Sequence, residues 1–163
     1  MKAIASIPQK IYTLEELTLE VKRWKLKSKS IVLTNGIFDM LHKGHIASIS
    51  QAASLGDILI VAVNSDESVK RLKGPSRPIN DEQSRAILLA SLIMTDAVIV
   101  FEEDTPLNLI KAVMPDVLVK GGDYEIHQIA GAKEVIENGG KVILADMIDG
   151  ISTTKIIEKM KHS

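Results

Sequence analysis

The side chains best suited to chemistry lie in one ten-residue stretch, Gly36-Ile-Phe-Asp-Met-Leu-His-Lys-Gly-His45. It follows a short apolar run, Ser30 to Thr34, that reads as a buried parallel strand, and it leads into a helical pattern beginning near Gly44. A strand-to-helix turn of this kind aims unpaired backbone N–H groups and the positive end of a helix dipole at whatever sits above the sheet, which favours an anion. His42 and His45 are three apart and share one face of a first helical turn, so both can donate to the same phosphate. Gly44 between them removes a side chain that would obstruct a ligand. Such a pair is also half a metal site, but the chain has no cysteine, its other histidines are His127 and His162, and no His-Glu-x-x-His spacing occurs. Phosphate contact is the favoured reading.

The rest of the chain has to position that turn. At 163 residues it is long enough for one domain with a sizeable core, and 45% apolar with 25% charged residues is ordinary for a globular protein. Twenty basic residues against 21 acidic ones argue against wholesale attraction to nucleic acid or to an anionic membrane. No apolar run approaches a membrane span and no convincing signal peptide opens the chain, so a cytoplasmic protein is expected.

An amphipathic helix is expected over Ile11 to Lys27, with Thr13 and Glu16 as a capping box and Leu14, Leu17, Val21 and Trp24 on its apolar stripe. After the histidine turn a helix runs to Leu55 and stops at Gly56, read as a left-handed terminator. Asp57 to Val63 has the continuous apolar character of a central strand, and Asn64-Ser-Asp66 at its carboxyl end suits either ligand contacts or a simple turn. In Ser68 to Pro78, Lys70, Arg71, Lys73 and Arg77 crowd around Gly74, Pro75 and Pro78; the segment reads as non-helical, a mobile basic lid over an anionic substrate. Asn80 is placed to cap a helix over Asp81 to Leu92. Thr95 to Phe101 reads as the third strand, and Thr105-Pro106 as the cap and first residue of the next helix. Glu102 to Asp104 suit that helix dipole, with a magnesium contact left open.

Met114 to Lys120 is the fourth strand. Gly121-Gly-Asp123 after it lets backbone approach a ligand, and the aspartate can accept from ribose hydroxyls. A helix over Ile129 to Asn138 and a fifth strand over Lys141 to Ala145 precede Gly150-Ile-Ser-Thr-Thr-Lys155, where Ser152, Thr153 and Thr154 open the last helix as a second phosphate nest. The expected fold is α/β, a doubly wound five-stranded parallel sheet of Rossmann-like type with helices on both faces. One domain is expected over residues 1–163, with 1–29 as N-terminal helix and linker and 30–163 as the core. Neither a Gly-x-Gly-x-x-Gly nor a P-loop motif is present.

The stretch Gly36 to His45 resembles the His-x-Gly-His signature of the nucleotidyltransferase superfamily, and Ile151-Ser-Thr-Thr154 resembles its second signature. More specifically, Thr34-Asn-Gly36, Val61 to Asp66, Arg71 to Gly74, Ser76 to Asn80, Glu103 to Pro106, Leu118 to Tyr124 and Ile129-Ala-Gly131 resemble the adenylyltransferase domain of ADP-heptose synthases, the D-glycero-β-D-manno-heptose 1-phosphate adenylyltransferases. The resemblance covers Ile31 to Ile157. Ile151 is instead similar to the glycerol-phosphate cytidylyltransferases, since the heptose enzymes commonly carry cysteine there.

This resemblance implies transfer of AMP from ATP to a sugar 1-phosphate, with Mg2+ or another divalent cation as cofactor. It implies that His42 and His45 stabilise the transition state, aided by Gly36, Ile37, Phe38, Asp39 and Gly44 around the triphosphate. Ser152, Thr153 and Thr154 would hold the β- and γ-phosphates, and Gly122 and Asp123 would meet ribose and base. Lys73, with Lys43 or Arg77, would neutralise the sugar phosphate or leaving group, with Asn64 beside it. Asp39 is open between magnesium and bracing of the turn. A stand-alone enzyme fed by a separate heptose kinase is expected, as a homodimer by analogy, with no nucleic-acid or membrane partner. A CTP-dependent glycerol-phosphate-type transferase and a non-catalytic nucleotide-binding regulator are the alternatives.

Overall fold

The computed structural model describes residues 6–122, 124–146, 153, 156 and 157. After a 3-10 turn at Pro8–Lys10, the described elements run β1 Ile11–Tyr12, α1 Leu14–Leu26, β2 Ile31–Gly36, α2 Lys43–Ala53, β3 Ile58–Asn64, α3 Asp66–Lys73 and α4 Glu82–Ala90. They continue with β4 Ala97–Phe101, α5 Leu107–Val113, β5 Val117–Gly121, a 3-10 turn at Ile126–Gln128, α6 Ala132–Glu137 and β6 Lys141–Ala145. The six strands form one sheet in the order β1-β4-β3-β2-β5-β6, and every pairing is parallel. From β2 the chain winds outward to β3 and β4 on one side and to β5 and β6 on the other. Such a reversal opens a crevice at the carboxyl ends of the two strands between which the winding changes direction, here β2 and β5.

Alternation along the strands builds two cores. Ile31 and Leu33 of β2, Ile60 and Ala62 of β3 and Leu118 of β5 pack with α1, α5 and α6. Val32, Val61, Val63 and Val119 face the other way, against Ile49 and Ala52 of α2 and Ala86, Leu89 and Ala90 of α4. Because both faces are covered, the strands read as unbroken apolar runs, which is why they were legible.

The sixth strand corrects the expected count of five. Ile11 and Tyr12, assigned from sequence to the first helix, instead pair with Val98 and Ile99 at the sheet edge. The helix begins at its capping box, in which Thr13 Oγ1 accepts from Glu16 N–H and Glu16 accepts from Thr13 N–H. Four other expectations fail for local reasons. Asp66–Lys73 is a helix, because Ser65 caps it by accepting from Ser68 N–H and the chain breaks only at Gly74, where φ is +94°. Asp81 caps α4, not Asn80, and α5 starts after Pro106 without a side-chain cap from Thr105. Gly56 is not left-handed; a Cβ there would lie 2.6 Å from Val32, so close packing demands the glycine.

Candidate active site

A cleft of about 600 Å³ opens at the carboxyl edge of the sheet, across the β2–β5 crevice. Its floor includes Gly36, Ile37, Phe38 and Asp39 from the turn after β2, and His42, Gly44 and His45 from the start of α2. Asn64, Lys73, Arg77 and Thr153 also line it. Eleven of the residues singled out from sequence thus meet in one place. Lys43 is exposed and does not line the cleft. Gly122 does not line it either. Its φ is +115° and a Cβ would lie 2.9 Å from the Tyr124 ring, so this glycine seats Tyr124 while Gly121 and Tyr124 face the cavity. Asp123, Ser152 and Thr154 lie outside the described residues.

His42 is the N-cap of α2. Its Nδ1 accepts from Gly44 N–H at 3.2 Å, which places the ring proton of the neutral imidazole on Nε2, free to donate. Gly44 serves this cap as well, because a Cβ there would sit 3.0 Å from the His42 ring. The His42 and His45 rings stack with centroids 3.9 Å apart, and Phe38 meets His45 edge-on at 5.4 Å. Phe38 holds φ +50° to place its ring there, and Gly36 leaves room for it. Burial, then the adjacent His42, push the His45 pKa down to about 4; burial also lowers that of His42. Near neutrality both rings are therefore uncharged donors. His45 Nδ1 is sealed from solvent, where the Met40 backbone partly opposes the fall in the ring's pKa, so it is not this nitrogen that a ligand meets.

Asp39 is 1% exposed and braces the turn. Its carboxylate accepts from Ile79 N–H at 2.7 Å, Asn80 N–H at 2.9 Å and Arg77 Nε at 2.5 Å, and its carbonyl accepts from Asn80 Nδ2 at 2.6 Å. Burial alone would raise its pKa, but the two amides and Arg77 outweigh burial and hold it below the usual range. With both oxygens engaged, Asp39 does not fit direct magnesium ligation. No cluster of three metal-ligating side chains occurs among the described residues.

The basic segment divides. Lys70 pairs with Glu67, and Arg71 with the Glu102 carbonyl and with Asp104, which lines the cleft, so both are engaged by partners of their own. Lys73 and Arg77 alone of the four line it, and Arg77 is tethered to Asp39. That tether, with Asn80, joins the Arg77 end of the segment to the histidine turn.

Two residues escaped assignment from sequence. Arg85, fully buried, donates to the Ile37 carbonyl at 2.7 Å, the Asn80 carbonyl at 3.0 Å and Asp66 at 2.7 Å, joining the histidine turn to α3 and α4. Nothing in its local sequence separates it from a surface arginine. Lys120, at the end of β5, reaches into the cleft and donates to Asn35 Oδ1 at 3.2 Å. In sequence it is the last side chain of an apolar strand, ahead of two glycines, and nothing local marks it as facing a ligand.

Comparison with known proteins gives this geometry its context. Residues 33–159 match the cytidylyltransferase-like family model. The chain is 52% identical over 152 residues to "Bifunctional protein HldE" of Escherichia coli O139:H28, and equally to that of Shigella boydii serotype 18. The match covers 93% of this chain and spans about a third of those relatives, 32% of their length. A lipopolysaccharide core biosynthesis protein from Thermoplasma volcanium superposes with a TM-score of 0.64 at 30% identity, over 74% of this chain and 99% of that one. Pantoate-beta-alanine ligase from Francisella tularensis shares the fold, with a TM-score of 0.59 at 16% identity over 93% of this chain and 76% of its own. With two donor imidazoles at a helix start over the switch crevice, and a family match spanning most of the sequence, the chain belongs to the cytidylyltransferase-like family of nucleotidyltransferases.

Proposed function

We propose that this nucleotidyltransferase transfers AMP from ATP to D-glycero-β-D-manno-heptose 1-phosphate, giving ADP-heptose and pyrophosphate. The observation that carries the reading is the stacked His42–His45 pair over the crevice, in a chain half identical to part of a bifunctional HldE protein. The structural likeness to a lipopolysaccharide core biosynthesis protein supports the pathway.

A sugar 1-phosphate oxygen attacks the α-phosphorus of ATP in line with departing pyrophosphate. The second pKa of a phosphate monoester is about 6, so the nucleophile is already largely ionised at neutral pH and needs no general base. The site has to supply alignment and donors where charge gathers. Neutral His42 and His45 donate to the triphosphate, the amides from Gly36 to Phe38 and the α2 start support it, and Ser152, Thr153 and Thr154 hold the β- and γ-phosphates. Lys73 and Arg77 balance charge on the sugar phosphate or leaving group, and Asp123 meets the ribose. The working unit is a homodimer supplied by a separate kinase activity.

Ile151 ahead of Ser-Thr-Thr favours a second reading, CTP with glycerol phosphate. Pyrophosphate release in magnesium buffer, with ATP or CTP against a panel of sugar and polyol phosphates, separates them. Turnover with ATP and heptose 1-phosphate is expected; turnover confined to CTP and glycerol phosphate would replace the acceptor and base while keeping the chemistry. Nucleotide binding without turnover across the panel would point to a regulator.

A further inference from the structure

Lys73, Arg77 and Lys120 are the cationic side chains among the described residues that line the cleft. Arg77 is already paired with Asp39 through its Nε, whereas neither Lys73 nor Lys120 has a carboxylate partner among the described residues. Lys73 is exposed at the end of α3; Lys120 is half-buried. Among the described residues its one hydrogen-bond partner is the amide oxygen of Asn35, and its ammonium lies 5.7 Å from the centre of the Tyr124 ring. Burial pushes its pKa down. A neutral amide and a ring quadrupole only partly repay the desolvation of an ammonium, so the position favours an arriving anion.

Strand alternation says which anion. Leu33 and Leu118 face α1, α5 and α6, so Asn35 and Lys120, two residues further along β2 and β5, lie on that same face. The histidines stand on α2, which packs against the opposite face. The cleft is also lined by Thr105 and Pro106 ahead of α5 and by Gln128 and Ile129 ahead of α6, the helices that cover this face. An in-line displacement needs attacking and leaving oxygens on opposite sides of the phosphorus. With the triphosphate on the histidine side, the nucleophile enters from the side of Lys120.

We propose that Lys120, positioned by Asn35 beneath Tyr124, binds the phosphate monoester of the acceptor and thereby fixes where the nucleophilic oxygen enters. This rests on the transferase reading above but not on the identity of the sugar or base. The chemistry recognised is a phosphate dianion, whose alternative source is the nucleotide itself, and the test separates the two.

Lys120→Met keeps the length of the side chain and removes its charge. KM for the acceptor should rise about 10- to 100-fold while ATP affinity, measured by calorimetry without acceptor, stays within about twofold. Lys120→Arg should recover part of the loss. Weakened ATP binding in Lys120→Met, or an unchanged acceptor KM, would overturn the assignment. A second measurement uses the unaltered chain, so it stands even if the variant fails to fold. Amine acylation read by mass spectrometry should label Lys120 with a non-hydrolysable ATP analogue bound, and adding heptose 1-phosphate or glycerol 3-phosphate should protect it. Protection by glycerol 3-phosphate alone keeps the inference while the heptose reading fails. Labelling unaffected by either phosphate, or abolished by the ATP analogue alone, defeats the inference whatever the pyrophosphate assay returns.

Discussion

On the histidine side of the cleft the contacts that shape the donors are short in sequence. His42 caps Gly44 two residues on, stacks on His45 three residues on, and Phe38 closes against His45 from seven residues back. On the opposite face Lys120 meets Asn35 across a separation of 85 residues, brought together only because β5 lies beside β2. The first arrangement is nearly intrinsic to a strand-turn-helix and presents uncharged rings; the second is a product of strand register and presents a charge. A nucleotidyl transfer uses both kinds of group. Neutral donors can strengthen as charge develops, while an ammonium can hold an incoming dianion throughout.

The comparison breaks first at Asp39, the non-local brace on which the local turn depends. Asp39→Ala strands the Arg77 guanidinium and two amide N–H groups, and should cost about 3 kcal/mol of stability by urea denaturation. A loss below about 1 kcal/mol would mean the turn stands without it. Next comes His45→Ala, expected to lower kcat by at least about a hundredfold with a smaller change in ATP affinity, since its interaction strengthens in the transition state. Equal losses in binding and turnover would assign His45 to ground-state binding.

The smallest expected effect is on pH dependence, and its sign follows from the His45 pKa being lowered in the folded state from 6.5 to about 4. The folded form favours the neutral ring. Its contribution is fully present above pH 6.5 and shrinks as pH falls from there toward about 4, because the unfolded chain takes up the proton first. Allowing for solvent screening, stability should drop by about 1 kcal/mol between pH 7 and 5 through this group. Asp39, whose pKa is depressed, adds its own loss only as pH falls below the ordinary aspartate value of 3.8. Proton NMR checks the first point directly: the His45 ring signals should stay fixed from pH 8 to 5 in the free protein. A midpoint near 6.5 would show that burial does not control this ring.

Periodicity located every long strand, because a parallel strand covered on both faces is apolar at each position. It missed the short edge strand at Ile11–Tyr12, whose two residues carry no period of their own. Gly74 and the prolines were read as forbidding a helix from Ser68 onward, but the break comes only at Gly74, since Ser65 and Asp66 supply a cap and an acidic first turn that sustain α3 up to it.

The amino-acid order by itself determined the α/β alternation, the capping box at Thr13, and the placing of two imidazoles on one face of a helix start. Each depends on residues within one or two turns of one another. Only the tertiary structure decided that Asp39 braces the turn through both its oxygens, that Arg85 is a buried tie and not a surface charge, and that Lys120 stands opposite the histidines. Those roles follow from which strands and loops become neighbours, and the energy of a buried charge is set by partners that lie about 20 to 85 residues away.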